Sequence, residues 1–355
     1  MRKTARIAAV AAIAALSLTA CGERPTEETG SAAGEETSES SAPAESNPDF
    51  KACIVSDSGG FDDKSFNQTS HKGLLDAEES LGIQTGEVES NSDSEYADNI
   101  AALVSEGCNS ITTVGFLLGD ATEAAAKKNP KVDFSIVDFA YEKAPKNLKG
   151  LVFNTNEPSF LAGYLAAATS ETGTVGTFGG MNIPTVTIFM EGFRQGVEKY
   201  NEDEGADVRL LGWDGKDGSF TDDFEDKTKG QAIGEQLISQ GADIIFPVAG
   251  PAGLGGLQAA KDGDVKAIWV DTDGCVSAAE YCDVLLTSVM KAMDVAVEEA
   301  IADSVHGEFS NELYVGTLEN EGVGLAEISD EVDQEVVDKV EELEQQIIDG
   351  ELKVK

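Results

Sequence analysis

The chain has 355 residues, of which 66 are acidic and 25 are basic, so its formal net charge is −41. Because a body this acidic repels the phosphates of DNA and RNA, the composition argues against a nucleic-acid partner. The chain has two histidines, and its five cysteines lack the CxxC or His-flanked spacing of zinc sites. We therefore expect no metal and no cofactor.

Residues 1–20 have the pattern of a bacterial lipoprotein signal peptide. Arg2, Lys3 and Arg6 precede an apolar stretch that is too short to span a bilayer. The stretch ends in Leu18-Thr19-Ala20-Cys21, which resembles a lipobox, the motif whose cysteine is acylated. We predict acylation of Cys21 and a lipid anchor on the extracytoplasmic face of the cell membrane. The alternative is an ordinary signal peptide that ends in a chance cysteine.

The next segment is rich in Glu, Ser, Thr, Ala, Gly and Pro and has almost no large apolar side chains. Such a composition cannot bury enough apolar surface to offset the entropy cost of ordering the chain. We therefore predict that residues 21–49 form a disordered acidic tether, which lifts a folded body off the membrane.

If Cys21 is lipidated, four cysteines remain, and an even number in an oxidising compartment permits two disulfides. Cys275 and Cys282 bracket a short loop and are natural partners. Cys53 begins the first predicted strand and Cys108 lies just before another, so neighbouring parallel strands could bring them together. We predict both pairs.

From residue 50 onward, short apolar or β-branched segments alternate with helix-length amphipathic ones, which is typical of parallel sheets covered on both faces. The roughly 305 residues of this part exceed what one hydrophobic core serves, so we predict two α/β lobes. We assign residues 50–156 and 276–306 to the N-terminal lobe, and residues 157–275 and 307–355 to the C-terminal lobe. The predicted strands are 52–56, 83–89, 110–114, 133–139, 150–154, 174–178, 208–212, 243–249, 266–271 and 284–287.

Ligands of open parallel sheets bind beyond the carboxyl ends of the strands. Five such strand ends are rich in polar, glycine and aromatic residues. They lie at 57–68, 136–138, 179–184, 249–255 and 269–273, and a further block at 286–291 follows the last of them.

These blocks resemble, in order, the motifs of the basic membrane protein family of substrate-binding lipoproteins, which includes purine nucleoside receptors of ABC transporters. The blocks read D-x-G-G-x-x-D-x-S-F-N, G-G-M-x-I-P, A-G-x-x-G-x-G, V-D-x-D and L-T-S-x-x-K. The resemblance runs from about residue 51 to the end of the chain. Asn182 stands where an acidic residue is common, and Pro251 interrupts the glycine-rich block. Both departures bear on which ligand is bound.

The resemblance implies a type I periplasmic-binding-protein fold, with two doubly wound parallel-sheet lobes joined by a three-segment hinge. It implies a small-molecule ligand in the cleft between the lobes, in particular a purine nucleoside. The expected partners are the permease and ATPase subunits of an ABC importer, and we expect a monomer.

A purine requires aromatic faces and polar partners at its edge. We predict that Phe66 supplies one stacking face and that Phe189 supplies the other, whereas Phe193, one turn further along the same segment, belongs to the core. Asp57 is placed to accept an N–H from the base, or else it holds the glycine loop. Asn67 can donate and accept at the base or sugar edge, or it only caps the turn.

A ribose requires acceptors for its hydroxyls and a cationic donor. Asp271 and Lys291 fit this requirement, although Lys291 alone could equally form a salt bridge at the hinge. Asp138 is a ligand acceptor or a cap for the next turn, and Gly250 permits close backbone approach or only begins a helix. We expect Phe66 and Asp138 to act on binding without supporting the fold.

The sequence argues against an enzyme. It has no Walker A loop, no G-x-G-x-x-G motif and no nucleophile–histidine arrangement. Asp57, Asp62 and Asp63 resemble the calcium cluster of a nucleoside hydrolase only faintly, and Asp62 and Asp63 fit solvated or helix-capping positions better. The alternatives are a receptor for another solute, such as a sugar or an autoinducer, and a receptor that senses rather than delivers.

Overall fold

The computed structural model describes residues 46–355. The predicted signal peptide, Cys21 and the tether up to residue 45 lie outside the described residues. The main-chain N–H of Asn47 donates to the carbonyls of Leu81 and Gly82 at 3.2 and 3.1 Å. Asn47, within the segment that the sequence assigned to the tether, therefore contacts the end of the first helix of the folded body. Over residues 46–355, no helix combines the length and the apolar character needed to cross a membrane.

Twelve strands and ten α-helices alternate along the described part of the chain. The strands are β1 (Lys51–Val55), β2 (Gln84–Val88), β3 (Ser110–Val114), β4 (Asp133–Val137), β5 (Leu148–Phe153), β6 (Thr174–Gly179), β7 (Arg209–Leu211), β8 (Ile244–Val248), β9 (Lys266–Asp271), β10 (Leu285–Lys291), β11 (Tyr314–Gly316) and β12 (Val323–Leu325). The helices are α1 (Phe66–Leu81), α2 (Tyr96–Ser105), α3 (Gly119–Lys128), α4 (Asn156–Thr169), α5 (Pro184–Glu204), α6 (Lys227–Ser239), α7 (Gly250–Asp262), α8 (Gly274–Ser277), α9 (Met293–His306) and α10 (Gln334–Ile348).

The strands form two six-stranded sheets with the same order. The first sheet runs β11-β5-β4-β3-β1-β2, and the second runs β12-β10-β9-β8-β6-β7. All neighbours are parallel except the β10–β12 pair, which is antiparallel. Each sheet is the centre of one lobe, so the prediction of two doubly wound lobes is confirmed. In this arrangement β4 corresponds to β9, and β5 corresponds to β10.

The predicted lobe boundaries are wrong near the C-terminus. Residues 285–291, assigned from the sequence to the N-terminal lobe, form β10, which pairs with β9 and β12 in the second sheet. Residues 314–316, assigned to the C-terminal lobe, form β11, which pairs with β5 in the first sheet. An apolar strand can complete either sheet, and strand–helix alternation does not indicate which one provides its hydrogen-bond partners.

Helix α9 lies against the first sheet and α1. It packs on α1, where Gly73 lies so close that a Cβ there would come within 2.4 Å of the Asp294 carbonyl oxygen. Within residues 46–355 the chain crosses between lobes after β5, after β10 and after β11, which gives the expected three-segment hinge.

Both predicted disulfides are present. Cys53 on β1 is bonded to Cys108, which lies just before the neighbouring strand β3, with 6.0 Å between their Cα atoms. Cys275 and Cys282 close the short loop after β9, with Cα atoms 4.6 Å apart. The first bridge is buried in a hydrophobic cluster of the first lobe, where it links β1 to the segment just before β3.

Candidate functional site

A cavity between the two lobes lies at the carboxyl ends of both sheets. It encloses about 610 Å³, including the space at its mouth. Every residue that the sequence singled out for ligand binding lines it. These residues are Asp57, Phe66, Asn67, Asp138, Phe189, Gly250, Asp271 and Lys291.

The first wall of the cavity is the loop between β1 and α1. Asp63 accepts hydrogen bonds from the main-chain N–H groups of Ser65, Asn67 and Gln68 at 2.9, 2.8 and 3.0 Å. These bonds satisfy the free donors at the start of α1, so Asp63 has the capping role expected of it. They also fix Phe66 and Asn67 at the first turn of α1, against the cavity.

Two aspartates occupy corresponding strand ends. Asp138 directly follows β4, and Asp271 ends β9. Their φ angles are 66° and 70°, in the left-handed region that non-glycine residues seldom adopt. Both side chains line the cavity. A strained backbone at two matching positions of a binding cleft is a feature that tertiary structure must stabilise.

Polar contacts join the lobes through these two aspartates. Lys291, the last residue of β10, donates from Nζ to Oδ2 of Asp138 in the other lobe at 2.6 Å, and it lies 4.0 Å from Asp271 Oδ1. In return, Ser65 of the first lobe donates to Asp271 Oδ2 at 2.7 Å. The salt bridge that was the alternative for Lys291 is therefore present, and it spans the cleft.

Aromatic rings surround the same ammonium group. Nζ of Lys291 lies 4.7 Å from the ring centroid of Phe66 and 5.8 Å from that of Phe189, with Phe153 at 5.2 Å. A buried ammonium group at these distances makes favourable cation–π contacts. The two predicted stacking residues, from opposite lobes, therefore meet at one charged group. Phe193 is fully buried and packs on Phe246, as expected of a core residue.

Burial raises the pKa of three carboxyl groups in the cleft. Desolvation raises the pKa of Asp57 to about 8, and the hydrogen bond from Asn67 opposes this only in part. Desolvation also raises the pKa of Asp63 to about 6 against its three backbone donors. The pKa of Asp271 is raised by burial, although Lys291 and Ser65 lower it.

The cavity also contains residues that the sequence reasoning missed. Phe116 follows Val114 and Gly115 at the end of β3, a strand end of the same kind as the five singled out, so the signal was available. Phe224 belongs to the irregular segment before α6, where the sequence offers no comparable signal.

Gly250, which the sequence did single out, begins α7 with φ of 52°, a conformation that favours glycine.

Comparisons with known proteins agree with this architecture. The family model described as "ABC transporter substrate-binding protein PnrA-like" matches residues 50–355. A CD4+ T-cell-stimulating antigen of Listeria monocytogenes is 34% identical over 87% of this chain and 89% of its own length. An ABC transporter nucleoside-binding protein of Lactococcus lactis is 32% identical over 86% of this chain and 89% of its own.

Among solved structures, a solute-binding protein of an ABC transporter system from Aeropyrum pernix superposes with a TM-score of 0.77. It is 27% identical and covers 86% of this chain and 92% of its own. Proteins of this kind bind a substrate for transport, so the chain is a binding protein and not an enzyme. It belongs to the PnrA-like family of ABC transporter substrate-binding proteins.

Proposed function

We propose that this protein captures a purine nucleoside in the cleft between its lobes and delivers it to the permease and ATPase of an ABC importer. The observation that carries the proposal is the meeting of Phe66 and Phe189, from opposite lobes, around one ammonium group flanked by carboxylates. Aromatic faces suit a base and the charged groups suit a ribose, so one cavity offers both halves of a nucleoside site. The relative from Lactococcus lactis is itself named a nucleoside-binding protein.

The ribose half of the proposal depends on Asp138, Asp271 and Lys291. Vicinal hydroxyls donate well to carboxylates and accept from an ammonium group. Because the three side chains already contact one another across the cleft, a ribose placed among them would contact both lobes at once. Binding would then favour the closed arrangement of the lobes.

A ligand panel tests the proposal. In thermal-shift measurements on the full-length protein, adenosine, guanosine or inosine should raise the melting temperature, because a ligand that binds the folded state stabilises it by mass action. Nucleotides should shift it little, since a phosphate would approach Asp271 inside a strongly acidic body. A strong response to sugars with none to nucleosides would contradict the proposal.

We also propose that Cys21 is acylated and anchors the protein to the outer face of the cell membrane. The support is the apolar segment that ends in Leu18-Thr19-Ala20-Cys21. Cys21→Ser should move the protein from the detergent phase to the aqueous phase, or leave it unprocessed, because the acylated sulfur is lost. Thr19→Ser, which keeps a small residue before the cysteine, is the matched control. Unchanged partitioning of Cys21→Ser would reject the anchor.

A further inference from the structure

The carboxyl groups of the cleft have very different partners. Asp63 accepts three main-chain N–H groups. Asp138 accepts from the ammonium of Lys291, and Asp271 has a hydroxyl donor and lies 4.0 Å from the same ammonium. Each of these three therefore has a cation or several donors that stabilise a negative charge.

Asp57 has neither. It is 7% exposed, and its Oδ1 accepts one hydrogen bond, from the neutral amide Nδ2 of Asn67 at 2.8 Å. Its Oδ2 lies against Gly115, where an added Cβ would come within 2.4 Å of that oxygen. Among the ion pairs of residues 46–355, none includes Asp57.

The charged groups that raise the pKa of Asp57 are acidic. Asp63 lies at the start of α1, Asp138 at the end of β4 and Glu225 in the segment before α6, and each disfavours a negative charge on Asp57. The phenol of Tyr96, on α2, is the remaining titratable neighbour. Burial and the like charges raise the pKa of Asp57 to about 8, and the hydrogen bond from Asn67 lowers it only in part, so the carboxyl group retains its proton at neutral pH.

The amide partner of Asp57 has an unused acceptor. Asn67 is 1% exposed and gives its Nδ2 to Asp57, while its Oδ1 is buried without a hydrogen-bond partner among the described residues. A buried acceptor without a partner costs free energy, and Asn67 is one of the residues that line the cavity. A ligand donor is the group that would satisfy it.

We propose that Asp57 binds the nucleoside as a neutral carboxylic acid that donates from Oδ2, while Oδ1 of the neighbouring Asn67 accepts a hydrogen bond from the base. This inference rests on the proposed function. It reverses the acceptor role that the sequence suggested for Asp57. The site then requires a base edge on which an acceptor lies beside a donor. Adenine has such an edge at N7 and the N6 amine, and 6-oxopurines have one at O6 and N1–H.

Because the proposed binding form of Asp57 carries a proton, nucleoside affinity should fall as the pH rises. Burial raises the pKa of Asp57 to about 8, so the protonated form predominates below that pH and is lost progressively as the pH rises through it. Nucleoside affinity should be flat from pH 6 to 7.5 and then fall by up to about tenfold per pH unit, or roughly thirtyfold by pH 9.5. A charged acceptor at this position would give no such alkaline loss.

Calorimetric titration of full-length protein in detergent tests this. At pH 8.5, in two buffers of different ionisation enthalpy, binding of adenosine to the wild type should take up more than about half a proton. Asp57→Asn, a neutral side chain that still donates, should abolish the uptake and bind adenosine more tightly than the wild type at pH 9.5. Asp76→Asn is the matched control and should keep the uptake, because it removes a carboxyl group of α1 that lies outside the cleft and pairs with Lys72.

A second measurement tests the acceptor. Purine riboside lacks the exocyclic amine of adenosine and should bind at least about tenfold more weakly, because it leaves Asn67 Oδ1 unsatisfied. Wild-type affinity that stays flat to pH 9.5 without proton uptake would overturn the role of Asp57. Equal affinity for purine riboside and adenosine would overturn the role of Asn67. If adenosine, inosine and guanosine all fail to bind at pH 6.5, the proposed function itself is wrong, and this inference with it.

Discussion

At the scale of single residues, the protein has phenylalanines of two kinds, those that line the cleft and those that are buried in the core. Phe66 is partly exposed at the first turn of α1 and contacts the ammonium of Lys291, whereas Phe193 on α5 is fully buried against Phe246. An aromatic ring that lines an open cleft contributes mainly to ligand binding, and a ring in the core contributes mainly to stability. The two positions therefore form a matched pair for experiment.

Phe66→Ala should weaken adenosine binding by about tenfold to a hundredfold, since base–aromatic stacking is worth roughly 1–3 kcal/mol. Its free energy of unfolding should change little. Phe193→Ala, the control, should cost about 3–5 kcal/mol of stability because it leaves a cavity in the core. Calorimetric titration and urea unfolding of both variants distinguish the roles. If Phe66→Ala unfolds the protein and spares the remaining affinity, Phe66 belongs to the core.

At the scale of elements, the site comes from matching ends of two similar sheets. Strands β4 and β9 hold the same place in their sheets, and each has a valine–aspartate pair at its carboxyl end. Asp138 directly follows β4 and Asp271 ends β9, each with a left-handed φ. The apolar strands were predictable from their composition, and so was the rule that polar residues after them face a ligand. For this reason the eight predicted residues line one cavity.

What the sequence could not indicate depends on contacts between distant segments. Residues 285–291 form a strand that could complete either sheet, and only pairing with β9 and β12 decides it. Phe224 reaches the cavity from an irregular segment with no periodic pattern. The donor role of Asp57 depends on the burial and the acidic neighbours that the fold assembles around it, and neither is visible in the order of residues.

At the scale of the whole molecule, the charged pair between Lys291 and Asp138 lies in the cleft and also next to a hinge segment. Lys291 directly precedes the second crossover, and its partner belongs to the other lobe. Their side chains are 2% and 11% exposed, so the pair is buried. The expectation that Asp138 acts on binding without supporting the fold therefore has to change, because removing one member of a buried pair leaves the other charge uncompensated.

We expect Asp138→Ala to weaken nucleoside binding and also to lower the free energy of unfolding by about 3–5 kcal/mol, because the ammonium of Lys291 keeps only Asp271, at 4.0 Å. Lys291→Met on the same background should recover part of that stability, since it removes the buried charge and keeps the apolar stem, but it should not recover affinity. Urea unfolding of the single and double variants measures the coupling between the two positions, and calorimetric titration measures binding. If Asp138→Ala is as stable as the wild type, the pair does not hold the lobes together, and Asp138 serves the ligand alone.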